Sequence, residues 1–143
     1  MLPTPNQLLA EIKNGKIPLA NILAKTDSRS LLKQRDADRQ FQTKYHQVWE
    51  TCEKLRFILN RDPAESVRTE VNLTISSVAK DHPMISSVLD DFTLIAWQSY
   101  LQIKDDSSVL FSSVPQWPIV EWLFLEYKSG KYPCPPFDLG EKS

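Results

Sequence analysis

Apolar residues recur along the chain at helical intervals. Between Ser28 and Asn60, where neither Pro nor Gly interrupts, Phe41, Tyr45, Val48, Cys52, Leu55 and Leu59 follow one another at steps of four and three. At 100° per residue these six positions fall within about 40° of one line, which is the signature of an amphipathic helix. The stripe predicts a long helix in the second quarter of the chain. Arg35, Arg39, Gln42, His46 and Glu53 lie on its polar side.

Helix punctuation frames the other segments. Thr4-Pro5-Asn6-Gln7 carries a capping threonine, a proline tolerated at the first helical position and a glutamine that completes a capping box, and Gly15 closes this first helix. A short helix follows from about Pro18, with Leu19, Ile22 and Leu23 on one side, and stops at Thr26-Asp27-Ser28. Asp62-Pro63-Ala64-Glu65 is another start. Beyond it Val71, Leu73 and Ile75 alternate with polar residues as a strand would, yet Ala64, Val67, Val71, Ile75 and Val78 suit a helix face. No turn signal separates the cap from Val71, so a helix is expected. Asp81-His82-Pro83 opens a further helix to about Lys104, apolar on two sides and so suited to the centre of a bundle. Val109 to Val114 reads as a strand or an extended connector. Pro118 starts a last helix, Ile119 to Lys128, ended by Ser129-Gly130. The fold expected is all-α, a compact bundle of five to six helices. Residues 1–130 form one helical domain and residues 131–143 an extended tail containing Pro133, Pro135 and Pro136.

Composition narrows the function classes. The 143 residues, 41% hydrophobic, are one domain's worth, and ten prolines against three glycines leave little material for phosphate-cradling loops. Gly15, Gly130 and Gly140 fit no phosphate-loop or dinucleotide pattern, and no serine occupies a glycine-flanked elbow. The two histidines, His46 and His82, and the two cysteines, Cys52 and Cys134, lack the paired spacing of a zinc site, so neither metal nor cofactor is expected. Cysteine usage and the absence of a charged, apolar leader suggest a reducing, cytoplasmic location. No apolar run approaches the roughly 20 residues that span a bilayer, so no membrane partner is expected. Net charge is −1, although residues 1–71 hold twelve Lys or Arg against nine Asp or Glu. Asp90 and Asp91 point about 100° apart on a helix and do not converge as an acid and base pair.

Aromatic residues crowd the last third. Trp117, Trp122, Phe124, Tyr127, Tyr132 and Phe137 offer more sticky surface than a chain of this size easily covers, and such residues anchor interfaces. The leading expectation is therefore a non-enzymatic helical domain that binds a protein partner or homo-oligomerises through this aromatic C-terminal surface.

The alternative is an RNA-directed protein. Arg39 and His46 are two turns apart on one helix face, and their spacing resembles the Arg-x(4–6)-His motif of the HEPN family of compact helical domains, some of which are ribonucleases. The resemblance implies that Arg39 binds a scissile phosphate and His46 assists proton transfer. The plainer account of these two residues is a solvated, charged helix face.

Overall fold

Each helix in the computed structural model starts or stops where the chain supplies a donor, an acceptor or a permissive backbone. The structure describes residues 3–79, 81–102 and 117–131, with side chains from residue 123 in the last segment. Seven helices occur among them and no strand: α1 (Pro5–Lys13), α2 (Leu19–Ala24), α3 (Ser28–Ala37), α4 (Arg39–Leu59), α5 (Glu65–Ile75), α6 (His82–Leu101) and α7 (Trp117–Lys128). The expected all-α fold is thus the one observed. The Val109–Val114 connector and the tail beyond Lys131 lie outside the described residues.

The capping box at α1 forms as its residues require: the Gln7 amide donates to Thr4 Oγ1 and the Thr4 amide donates to Gln7 Oε1 at 2.8 Å. At the far end of the chain the Gly130 amide donates to the Tyr127 carbonyl and the Lys131 amide to the Glu126 carbonyl, closing α7 with two staggered bonds. This closure needs the left-handed backbone of Gly130, whose φ is +85°. The ambiguous 71–76 segment is helical. Its start differs in detail from the expectation, because Asp62 caps a turn at Ala64 and α5 itself begins at Glu65.

The long second-quarter helix is divided, which is why the helices outnumber the five or six expected. Asp38 ends α3 and caps α4, with an extended backbone (φ −88°, ψ 96°) and a carboxylate that accepts from the Phe41 amide at 3.0 Å. A short side chain with its own acceptor offers the backbone an alternative to a continuous helix. The break re-aims α3, so that Arg35, expected on the solvated side, is buried. The core stripe of α4 holds through Phe41, Val48 and Cys52 and then fades, leaving Leu59 exposed.

α6 is the axis of the bundle. It packs most extensively against α5 and α7, with α1, α3 and α4 also on it. Its residues Asp91 to Ser99 are all buried, in keeping with a helix apolar on two sides. Phe92 meets Tyr127 of α7 at 4.6 Å between ring centroids, and Trp97 is fully enclosed. Asp38→Ala should destabilise the protein by about 1 kcal/mol through loss of the α4 cap. A lowered urea midpoint with an unchanged slope would show this, and an unchanged midpoint would show that the cap contributes nothing.

Candidate functional site

A buried carboxylate ties four helices together. Asp91 of α6 accepts two bonds from the Arg35 guanidinium of α3, at 2.8 and 3.1 Å. It accepts a third from the Tyr45 hydroxyl of α4 at 2.5 Å and a fourth from the Tyr127 hydroxyl of α7 at 3.1 Å. Arg35 also lies over the rings of Phe41 and Tyr45, at 4.8 and 5.6 Å from their centroids. A charge taken out of water is tolerable when its lone pairs are met in this way. Burial, followed by the Asp91 charge, pushes the Tyr45 phenol well above its ordinary range, so it remains a hydrogen-bond donor.

Asp90, one residue earlier and about 100° round α6, faces the surface. It lies half-buried in a groove between α4 and α6, lined by Leu32, Asp36, Tyr45, His46 and Trp49 and about 300 Å³ in volume. Trp49 and Asp90 also border a second depression, lined by Glu53, Arg56, Asp62, Arg68 and Thr93. Glu53, Arg56 and Asp62 in turn border a third, which reaches Phe57, Asn60 and Arg61. The three form one furrow along α4. Its α4 wall is the stripe Gln42, His46, Trp49, Glu53, Arg56 and Asn60, each one position after a member of the core stripe.

Each base in the furrow has a partner. Arg35 is held by Asp91, Arg56 by Glu53, Arg68 by Asp62, and His46 Nε2 is 2.8 Å from Glu50. Arg61 donates to the Tyr100 hydroxyl. Asp90 and Asp36 have no such pairing among the described residues. Burial, reinforced by the neighbouring Asp91 charge, pushes the Asp90 carboxyl up to about 6. Burial acts the same way on Asp62, but there the Arg68 bond and the Ala64 amide outweigh it and hold the carboxyl below its usual range. The furrow therefore carries an unbalanced negative charge beside an aromatic wall.

At its lower end α4 exposes three consecutive apolar residues. Phe57 is 88% exposed and Ile58 72%, with Leu59 beside them. Large side chains this open at a helix end are unusual for a self-contained domain and commonly mark contact surfaces.

The aromatic residues singled out in the sequence fall in different places. Phe124 and Tyr127 are buried in the core, and Tyr127 serves the Asp91 network. The side chains of Trp117 and Trp122 and the whole of Tyr132 and Phe137 lie outside what the structure describes. Leu125, not singled out, is an exposed apolar residue among the described side chains of α7. Arg39 and His46 stand on the exposed side of α4, Arg39 as its first residue. Sequence reasoning missed the furrow because its wall reads as ordinary polar surface. Trp49 amid that polar stripe was the available signal.

Helices that bury one charge completely, leave another unpaired at the surface and expose a run of apolar residues define a protein suited to recognising another macromolecule. The family model described as Immunity protein PIM1 matches residues 7–134, and the chain belongs to that family. Membership points to interaction with a protein partner. No curated protein and no solved structure matches the chain. No helix among the described residues is long and apolar enough to cross a membrane.

Two substitutions separate the adjacent carboxylates. Asp91→Asn leaves the Arg35 charge buried without its counter-ion, and a loss of roughly 3–5 kcal/mol in unfolding free energy is expected. Asp90→Asn should do the reverse. A carboxyl raised in the fold binds its proton more tightly there than in the unfolded chain, so its contribution to stability is lost as pH rises from about 4 to about 6. The asparagine variant should exceed the wild type in stability at pH 7 by about 1 kcal/mol after allowing for solvent screening at its exposed side, with no gain near pH 4. Thermal unfolding at the two pH values measures both effects. Equal stability of Asp90→Asn and wild type at pH 7 would contradict the account of Asp90.

Proposed function

We propose that the protein acts as an immunity protein by binding a toxic protein and blocking it, without catalysis of its own. The observation that carries the reading is membership of the Immunity protein PIM1 family across residues 7–134. Immunity proteins of the colicin nuclease type bind their targets among the tightest known complexes, which sets the kind of interface to look for. Such interfaces concentrate their energy in a few apolar or aromatic anchors surrounded by polar groups. Phe57 and Ile58, flanked by Arg56 and Arg61 at the end of the furrow, supply that combination. The aromatic C-terminal segment, through Trp117, Trp122, Tyr132 and Phe137, is a second proposed contact region; Phe124 and Tyr127 belong to the core instead.

Protection is the direct test. Cells producing the chain are challenged with a panel of toxic proteins, and each purified pair is examined by light scattering and calorimetry. Survival together with a defined complex supports the reading, and Phe57→Glu and Ile58→Glu should each weaken that complex by about 2 kcal/mol, roughly thirtyfold. Unprotected cells with no complex, or a chain that only self-associates, would overturn it.

A further inference from the structure

We propose that the Asp90–Trp49 groove receives an arginine side chain of the partner protein, its guanidinium paired with the Asp90 carboxylate and stacked on the Trp49 indole. The inference rests on the protein-binding reading above and gives the chemistry of the group recognised there.

Charge accounting comes first. Every arginine lining the furrow is engaged by a carboxylate or a hydroxyl of this chain, whereas Asp90 on α6 and Asp36 on α3 have no ion pair among the described residues. Asp90 is half-buried between two packed helices, where a seated cation would offset the cost of its charge. The guanidinium groups of Arg35 and Arg68 act on Asp90 only through space. Arg35 is committed to Asp91 and Arg68 to Asp62.

Shape and surface decide between the two cationic side chains. Trp49 borders both the upper and middle depressions and has no ring partner or hydrogen bond among the described residues. Indole is the most favourable ring for a cation, and a planar guanidinium can stack on it while presenting two parallel donors to a carboxylate. An ammonium gains the charge but neither the fork nor the stack. The chain uses the same combination internally, where Arg35 is bidentate to Asp91 and lies over Phe41 and Tyr45. A volume of about 300 Å³ is at the small end of ligand sites and suits one side chain rather than a folded element.

The probe is Nα-acetyl-arginine amide, titrated into the full chain at pH 7.5 while the Trp49 indole and the Asp90 backbone amide are followed by NMR. The lysine amide and the uncharged, near-isosteric citrulline amide serve as comparisons. Saturable shifts with a dissociation constant on the order of millimolar are expected for arginine. Lysine should bind at least fivefold more weakly and citrulline should leave both signals in place. Asp90→Asn and Trp49→Leu should each abolish the arginine response, and the undiminished stability expected of Asp90→Asn separates lost binding from lost folding. Equal responses to arginine and citrulline, or a response retained in Asp90→Asn, would overturn the assignment.

With a partner in hand the two readings part. A complex whose affinity is unchanged by Asp90→Asn overturns the arginine site and leaves the immunity reading standing. Arginine binding in a chain that protects against no toxic protein supports the groove chemistry and removes the immunity reading. Weakening of the complex by tenfold or more in Asp90→Asn, lessened as salt is raised, supports both.

Discussion

The arrangement of helices depends on one buried ion pair, Arg35 with Asp91. Removing two charges from solvent is unfavourable, and only their mutual attraction with complete hydrogen bonding offsets it. The chain meets that demand with hydroxyls from two further helices, so the pair fixes where α3, α4 and α7 sit on α6. Apolar burial at Phe92, Trp97 and Tyr127 supplies driving force without direction. The charged network supplies the direction, because a slipped helix would strand a buried charge. Such a role in specifying one packing is the best-attested reason for keeping polar groups in a core.

Satisfying the core also shapes the surface. Arg35 could lie along the furrow as a free cation, but Asp91 holds it inward, and Glu53, Asp62 and Glu50 hold Arg56, Arg68 and His46. What remains without an ion pair beside the Trp49 indole is the Asp90 carboxylate. The same α4 helix thus presents a core stripe on one side, a furrow wall about 100° round from it, and an apolar tip where the stripe outlasts the bundle. Leu59 belongs to the sequence stripe yet stands exposed at the end of α4.

Most of the helices are legible in the chain, and the site largely is not. Caps and stops at Thr4, Gly15 and Gly130 act locally, so a short window of sequence contains the physics that decides them. The two apolar sides of α6 likewise announce its central place. The break at Asp38 was readable in principle, since a capping aspartate stands three residues before Phe41, the first of a periodic apolar run. Overlooking it turned Arg35 outward. Asp91 and Arg35 are 56 residues apart, and nothing in either neighbourhood signals that their charges meet. The furrow required the bundle to be assembled before Trp49 and Asp90 could be seen on facing walls. The C-terminal aromatics were legible as adhesive, but two of them, Phe124 and Tyr127, adhere to their own core.

Asp90 and Asp91 are joined by a single peptide bond, one at the surface furrow and the other at the heart of the bundle. Their negative charges repel, and that repulsion contributes to the raised proton affinity of Asp90. A cation seated on Asp90 would relieve it, so that occupancy of the furrow is coupled to the charged network on which four helices converge. Recognition and architecture in this protein are two readings of one electrostatic balance, set by neighbouring residues that a helix turns in different directions.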